Sequence, residues 1–261
     1  MSGNFDATGT ELVRLEEISK DYGAYRALDS VSLTVHAGQV TCVLGDNGAG
    51  KSTLIKVLAG LHSASSGVMY VAGEEVAFGS PRDALAAGIA TVYQDLAVVG
   101  QMSVWRNFFL GQELTGFLGR LREEEMRKIA DQQLREMGIE LRDVDVPVAS
   151  LSGGQRQVVA IARAIYFGAK VLILDEPTAA LGVKQSGMVL RFIAAARDRG
   201  IGVIFITHNP HHAYLVGDHF VLLSLGRQVL DASRDDVTLE ELTLQMAGGG
   251  ELDSLGHELR G

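Results

Sequence analysis

The chain has 261 residues, 47% of them hydrophobic and 21% charged, the balance of a globular protein with one large core or a core plus a subdomain. Its net charge of −9 argues against general nucleic-acid binding through a basic surface, and its single cysteine, Cys42, rules out a disulfide framework within the chain and accords with the cytosol. No apolar run approaches the ~18 residues that span a bilayer, and Met1–Thr10 lacks the basic flank and apolar stretch of a signal peptide; any membrane role is expected to run through a partner.

Residues 1–10 read as a loose tail. Leu12–Ser19, Val31–Val35 and Val40–Leu44 alternate or run apolar and read as strands, with a turn at His36–Gln39. Lys20–Gly23 reads as a loop between the first two. Leu54–Leu61 is apolar-rich and helical. Gly67–Val71 and Glu75–Phe78 predict a hairpin around Ala72-Gly73-Glu74. Ser80-Pro81-Arg82-Asp83 predicts a short helix to Ala87 with Ser80 as N-cap, stopped by Gly88. Ile89–Tyr93 is another strand, ending at Gln94.

From Asp95 sheet signals vanish until Val171, and residues 95–165 read as a helical insertion. Glu123–Met137 carries an apolar stripe at Met126, Ile129, Ala130, Leu134 and Met137, closed by Gly138. Ser152 and Gln155 form a capping box for a helix that ends at Gly168. Val171–Leu174 is wholly apolar, as in the middle of a parallel sheet. A helix over Val183–Arg199, a strand over Val203–Ile206, a hairpin of Phe220–Leu223 and Gln228–Leu230, and a helix over Leu239–Met246 follow. Gly248-Gly249-Gly250 opens a second loose tail.

Three stretches carry chemistry. Gly45-Asp46-Asn47-Gly48-Ala49-Gly50-Lys51-Ser52-Thr53 matches the phosphate-loop pattern G-x-x-x-x-G-K-[ST] between a strand and a helix. Glycines let successive N–H groups curl toward an anion, and the helix adds the positive end of its dipole. Lys51 is placed to reach the β- and γ-phosphates and the Ser52 hydroxyl to ligate magnesium. Asp175 and Glu176 follow a buried strand, where open α/β sheets bind ligands; one carboxylate can hold magnesium and the other polarise water. His208 ends its strand in the same way; alone it reads equally well as a structural residue. Leu151-Ser152-Gly153-Gly154-Gln155 places two glycines in a helix's first turn, at a cost of about 1 kcal/mol each relative to alanine. That suits a phosphate approaching the backbone closely. A second phosphate site makes sense in a head-to-tail dimer that sandwiches nucleotide.

Leu151–Gln155 resembles the signature sequence of ABC-type ATPases, and the order Tyr22, Gly45–Thr53, Gln94, Leu151–Gln155, Val171–Glu176, His208 is similar to that family over residues 11–247. The resemblance implies an α/β P-loop NTPase core with a mixed sheet, an N-terminal antiparallel β-subdomain and a helical subdomain. It implies a single domain over 11–247 (catalytic core 11–94 and 166–247, helical subdomain about 95–165), with 1–10 and 248–261 as flexible tails. It implies ATP and Mg2+, and hydrolysis at a homodimer interface. Tyr22, which alone reads as a surface aromatic, would then stack on adenine. Gln94 would contact magnesium and the attacking water. Ser152, Gly153, Gly154 and Gln155 would contact nucleotide bound by the other subunit. Asp175 would hold magnesium, Glu176 would be the general base, and His208 would contact the γ-phosphate.

Gly182 departs from the family, which usually has aspartate there. Thr178–Val183, Tyr93–Ala97, Arg106–Glu113 and Thr207-His208-Asn209 with His211-His212 resemble the monosaccharide-import branch, which tolerates glycine at that place. The implied partners are transmembrane permease subunits and, through them, an extracytoplasmic sugar-binding protein, with the chain at the cytoplasmic face of the membrane. Export of a lipid or drug, a DNA-repair or translation ATPase, and a nucleotide-binding regulator are the alternatives. A zinc site at His208, His211 and His212 fits no common spacing; local packing or capping is expected of His211-His212.

Overall fold

The computed structural model describes residues 9–139, 141 and 143–247; the tails expected at 1–8 and 248–261 lie outside the described residues. Gly9 and Thr10 are already tied to Ala37 by backbone hydrogen bonds of 3.3 and 2.8 Å.

Two twelve-residue strands, β1 (Glu11–Tyr22) and β2 (Tyr25–His36), form an antiparallel hairpin in which Tyr22 pairs with Tyr25. The polar stretch Lys20–Tyr22, expected as a loop, continues β1. A two-residue turn with Gly23 at φ +61° closes it, as short hairpin turns require of their first residue. β3 (Val40–Leu44) is buried throughout and runs into helix α1 (Lys51–Leu58) through the loop at 45–50. β4 (Ser66–Val71) and β5 (Glu74–Val76) pair around Ala72 and Gly73, both at positive φ. β5 ends before Ala77 and Phe78, and Phe78 turns in against the core instead.

Helix α2 (Pro81–Ala86) has Ser80 at its N-cap position, but the serine caps nothing: its hydroxyl donates to Asp83 Oδ2 at 3.0 Å, which also accepts from Gly79 N–H. β6 (Ile89–Val92) follows. Then come α3 (Val104–Phe109), α4 (Glu123–Glu136) and α5 (Gly153–Tyr166) before the sheet resumes with β7 (Val171–Asp175). The chain ends in α6 (Val183–Asp198), β8 (Gly202–Thr207), α7 (Pro210–Val216), β9 (His219–Ser224), β10 (Arg227–Ser233) and α8 (Leu239–Met246).

The strands form a four-stranded antiparallel sheet, β2-β1-β4-β5, and a six-stranded sheet, β10-β9-β3-β8-β7-β6, parallel except for its β10 edge. Alternation sorts the residues of the large sheet. Cys42, Leu174 and Phe205 face the helices, whereas Val43, Ile173 and Ile204 face α1 and the antiparallel sheet. Two apolar cores thus share one sheet, and its strand ends open at a single edge.

Asn107 anchors the loop after β6. It is 2% exposed. Its carbonyl accepts from Val99 N–H at 2.7 Å, and its amide donates to the carbonyls of Val99, Met102 and Ser103 at 3.0–3.1 Å. Asn107→Ala strands buried backbone groups, so a loss of about 2–4 kcal/mol is expected, read as a lower urea midpoint at unchanged slope.

Candidate active site

The phosphate loop is shaped by what surrounds it. Gly45 sits at φ +145°, and a Cβ there would lie 2.4 Å from the Leu223 carbonyl oxygen. Gly50, at φ +107°, abuts Leu28 and the Ala27 carbonyl of β2. Between them Ala49 N–H bonds Asp46 O, whereas the backbone N–H groups of Asn47 and Gly48 donate to no acceptor among the described residues. Both residues are exposed just before the first turn of α1, and an anion is a natural acceptor for such groups. Lys51 is 7% exposed, and its ammonium donates to the carbonyls of Gly45 (2.5 Å) and Asp46 (3.0 Å). Burial lowers its pKa, against the opposing pull of Glu176, Asp46 and Asp175.

Register brings the chemistry to this loop. Leu44 lies beside Thr207, and Asp175 beside Ile206, so the residues after β3, β7 and β8 emerge side by side. Glu176 is held at φ +47°, a left-handed conformation costing a non-glycine residue about 1–2 kcal/mol. Its N–H donates to Ile206 O at 2.9 Å. One carboxylate oxygen meets His208 Nδ1 at 2.9 Å and the other accepts from the Thr207 hydroxyl at 3.3 Å. A carboxylate only accepts, so Nδ1 donates in this contact and Nε2 is left free of Glu176. The Glu176 side chain is 12% exposed and that of His208 58%: an enclosed carboxylate beside an open imidazole. Burial raises the pKa of Asp175, and the charge of Glu176 adds to the rise while Lys51 opposes it.

Gln94, Gly153, Glu176, Leu181 and Gln185 line one cavity of about 320 Å³, so the signature helix and the loop after β6 meet the carboxylate turn within one chain. The capping box is present: Ser152 N–H donates to Gln155 Oε1 at 2.9 Å and Gln155 N–H to Ser152 Oγ at 3.3 Å. The glycine pair has a reason beyond phosphate approach. A Cβ on Gly153 would come within 2.7 Å of Leu181, and one on Gly154 within 3.1–3.2 Å of Gln185. Side chains at 153 and 154 would press on Leu181 and Gln185, so the first turn of α5 packs closely against the turn after β7 and the start of α6. Gly182 is the opposite case. It is the N-cap of α6 at φ −69°, ψ 161°, with open space at its Cβ position, so the fold accommodates an aspartate there.

Tyr22 stands apart. Its ring meets His62 edge-on at 5.6 Å and the Lys20 ammonium at 5.2 Å, and it is 41% exposed. Ser52 is exposed at the first turn of α1. The oxygen donors Ser52, Gln94 and Asp175 suit magnesium, which takes one or two carboxylates and completes its shell from substrate phosphates and water. Burial and then the neighbouring Glu176 carboxylate raise the Asp175 pKa, so a cation there would be met by unneutralised negative charge. Among the described residues no cluster of three or more histidine, cysteine or acidic side chains is placed to hold a metal by itself. The sequence reading passed over Thr207, which braces Glu176, and α7, whose Asn209-Pro210 opening is a cap followed by proline at the first helical position.

The cradle can accept a polyphosphate, and the adjacent carboxylate can deprotonate water against it; the arrangement defines a P-loop nucleotide hydrolase. The sequence profile of the ABC transporter family matches residues 28–179. The chain is 41% identical over 237 residues to the xylose/arabinose import ATP-binding protein of Sulfolobus acidocaldarius, covering 90% of this chain and 93% of that one. It is 41% identical over 239 residues to the fructose import ATP-binding protein of Rhizobium meliloti, covering 89% and 92%. It is 35% identical to the ribose import ATP-binding protein of Hahella chejuensis, covering 91% of this chain but 47% of that one, about half its length. A solved nucleotide-free ATP-binding cassette of an ABC transporter superposes with a TM-score of 0.80 at 26% identity, covering 92% of this chain and 98% of that one. A cassette in its ADP conformation superposes at 0.79 and 26%, covering 93% and 97%. The chain belongs to the ABC transporter family, as one of its ATP-hydrolysing subunits.

A raised Asp175 pKa means that the folded state holds its proton more tightly than the unfolded one. The resulting penalty is absent below the ordinary carboxylate range and complete above the raised value. Asp175→Asn is therefore expected to raise the Tm of the nucleotide-free chain at pH 7. The advantage should shrink as pH falls through that window, followed by thermal denaturation across pH.

Proposed function

We propose that this chain energises uptake of a monosaccharide through a separate transmembrane permease, hydrolysing ATP in the shared interface of a homodimer. One observation carries the catalytic part: Glu176, enclosed and 2.9 Å from His208 Nδ1, stands at a strand end next to the phosphate loop. In this reading the N–H groups of residues 45–53 and the Lys51 ammonium bind the β- and γ-phosphates. Ser52, Gln94 and Asp175 hold magnesium, which when bound neutralises charge on the transferring phosphoryl group. Glu176 takes the proton of the water that attacks the γ-phosphorus; the bond to ADP breaks, and ADP and inorganic phosphate leave. His208, fixed by Glu176, offers its ring to the γ-phosphate. Tyr22 stacks on adenine. Ser152, Gly153, Gly154 and Gln155 close over nucleotide held by the other subunit.

The sugar assignment rests on the relatives, whose names specify xylose/arabinose, fructose and ribose import. For the permease, a cavity of about 220 Å³ lies between the loop after β6 and α5, lined by Val92, Leu96, Val98, Val159 and Phe167 with Arg163 at its rim. An apolar floor beside Gln94's loop suits a short helix of a membrane partner. No helix among the described residues is long and apolar enough to cross a membrane; on the likeness to import ATP-binding proteins we place the chain peripherally, at the cytoplasmic face. An extracytoplasmic sugar-binding protein then delivers substrate to the permease, and nucleic acid is not a partner.

Glu176→Gln is expected to cut ATP turnover by about 10²-fold or more while retaining nucleotide, and to elute as a dimer in ATP and magnesium on size-exclusion chromatography, with the wild type turning over under the same conditions. Turnover surviving in the variant would overturn the assignment of the base.

A further inference from the structure

His212 and Thr178 make a contact that neither the phosphate loop nor the Glu176–His208 pair requires. Thr178 is 5% exposed, and among the described residues its hydroxyl has one hydrogen-bond partner, the Nδ1 of His212 at 3.0 Å. The backbone carrying the ring is itself secured. Asn209 Oδ1 accepts from the His212 backbone N–H at 3.1 Å, Asn209 N–H donates to Thr207 Oγ1 at 3.1 Å, and that hydroxyl donates to Glu176. The chain of contacts runs from Glu176 through Thr207, Asn209 and His212 to Thr178, two residues beyond its starting point. The turn it encloses does not keep its shape by local preference, because both Glu176 (φ +47°) and Ala180 (φ +57°) are left-handed without being glycine. Burial, with His211 and His208 acting in the same direction, holds the His212 pKa below the ordinary value. The neutral ring offers one donor and one acceptor nitrogen.

We propose that His212 is a positioning residue for ATP hydrolysis: through Thr178 it fixes the turn that aims Glu176. The inference rests on Glu176 being the general base. One tie between the turn and the start of α7, Glu176–His208, leaves a pivot. The second, Thr178–His212, removes it. A small misplacement of a catalytic group costs rate far more than binding.

The test is steady-state MgATP hydrolysis by the full chain for wild type, His212→Ala, His212→Asn, Thr178→Val, Thr178→Ser, the His212→Ala/Thr178→Val double variant, and Glu176→Gln alongside. His212→Ala and Thr178→Val are each expected to lower kcat about 10-fold with the KM for ATP within about 2-fold. The double variant should be no slower than either single one, since both break the same contact. His212→Asn, whose amide reaches the hydroxyl from near the Nδ1 position, and Thr178→Ser should recover kcat to within about 3-fold of wild type. Unchanged kcat in His212→Ala, additive losses in the double variant, or no rescue by asparagine and serine would overturn the proposal. If His212→Ala does not fold, judged by circular dichroism, the Thr178→Val and Thr178→Ser pair decides it. Turnover persisting in Glu176→Gln would instead overturn the reading beneath it.

Discussion

Strand register is the constraint on which the rest of this structure depends. Leu44 lies beside Thr207 and Asp175 beside Ile206, and only that pairing sets the phosphate loop, Glu176 and His208 next to one another. Every residue of β3 and β8 is buried, so the strands are gripped on both faces. A slip of one residue would send Ile173 to the helical side and Leu172 to the other. It would also carry Glu176 about 3.3 Å along the strand, beyond reach of His208. Packing two apolar cores on one sheet therefore also sets the distances of the chemistry.

The site itself collects groups in conditions they would not choose. Lys51 is an ammonium in a largely dry setting, satisfied by two loop carbonyls. Asp175 is a carboxylate desolvated beside another. Two backbone N–H groups lack internal acceptors, and Glu176 has a backbone conformation that favours glycine. The buried charges and the left-handed backbone cost stability, and a phosphate and a cation would relieve the charges while giving the exposed loop N–H groups an acceptor. The rest of the fold supplies the compensation, in closely packed strands and in side chains such as Asn107 whose polar atoms are all answered.

Much of this was legible in the chain because local chemistry announces it. The phosphate loop, the capping box at Ser152 and Gln155, the buried strands and the long stripe of α4 depend on residues close in sequence. What escaped depends on partners far away. The glycine pair at 153–154 reads as an invitation to phosphate, yet its packing reason lies at Leu181 and Gln185, some thirty residues on. Lys20–Tyr22 reads as a loop because its residues are polar; a hairpin arm extending past the core needs no apolar face there, and pairing with residues 25–28 keeps it a strand. Ser80 reads as a cap, but Asp83 takes its hydroxyl first. The role of Thr178 is invisible until β7 and α7 are brought together. The family resemblance expects Glu176 and His208 in one site, and the fold sets the two side chains 2.9 Å apart.

The contact between Gly153 and Leu181 makes α5 a lever. The helix has fourteen residues, about 21 Å of rigid rod. One end packs against the turn that carries Glu176, where a methyl group at Gly153 would displace the Leu181 side chain. The other half contributes Val159, Ala160, Arg163 and Ala164 to the apolar groove beside the loop after β6. A tilt of about 5° about the far end sweeps the first turn through about 2 Å on that length, enough to press Leu181 and the turn it belongs to. Mechanical displacement at the groove and the aim of the carboxylate are thus geared through a single helix.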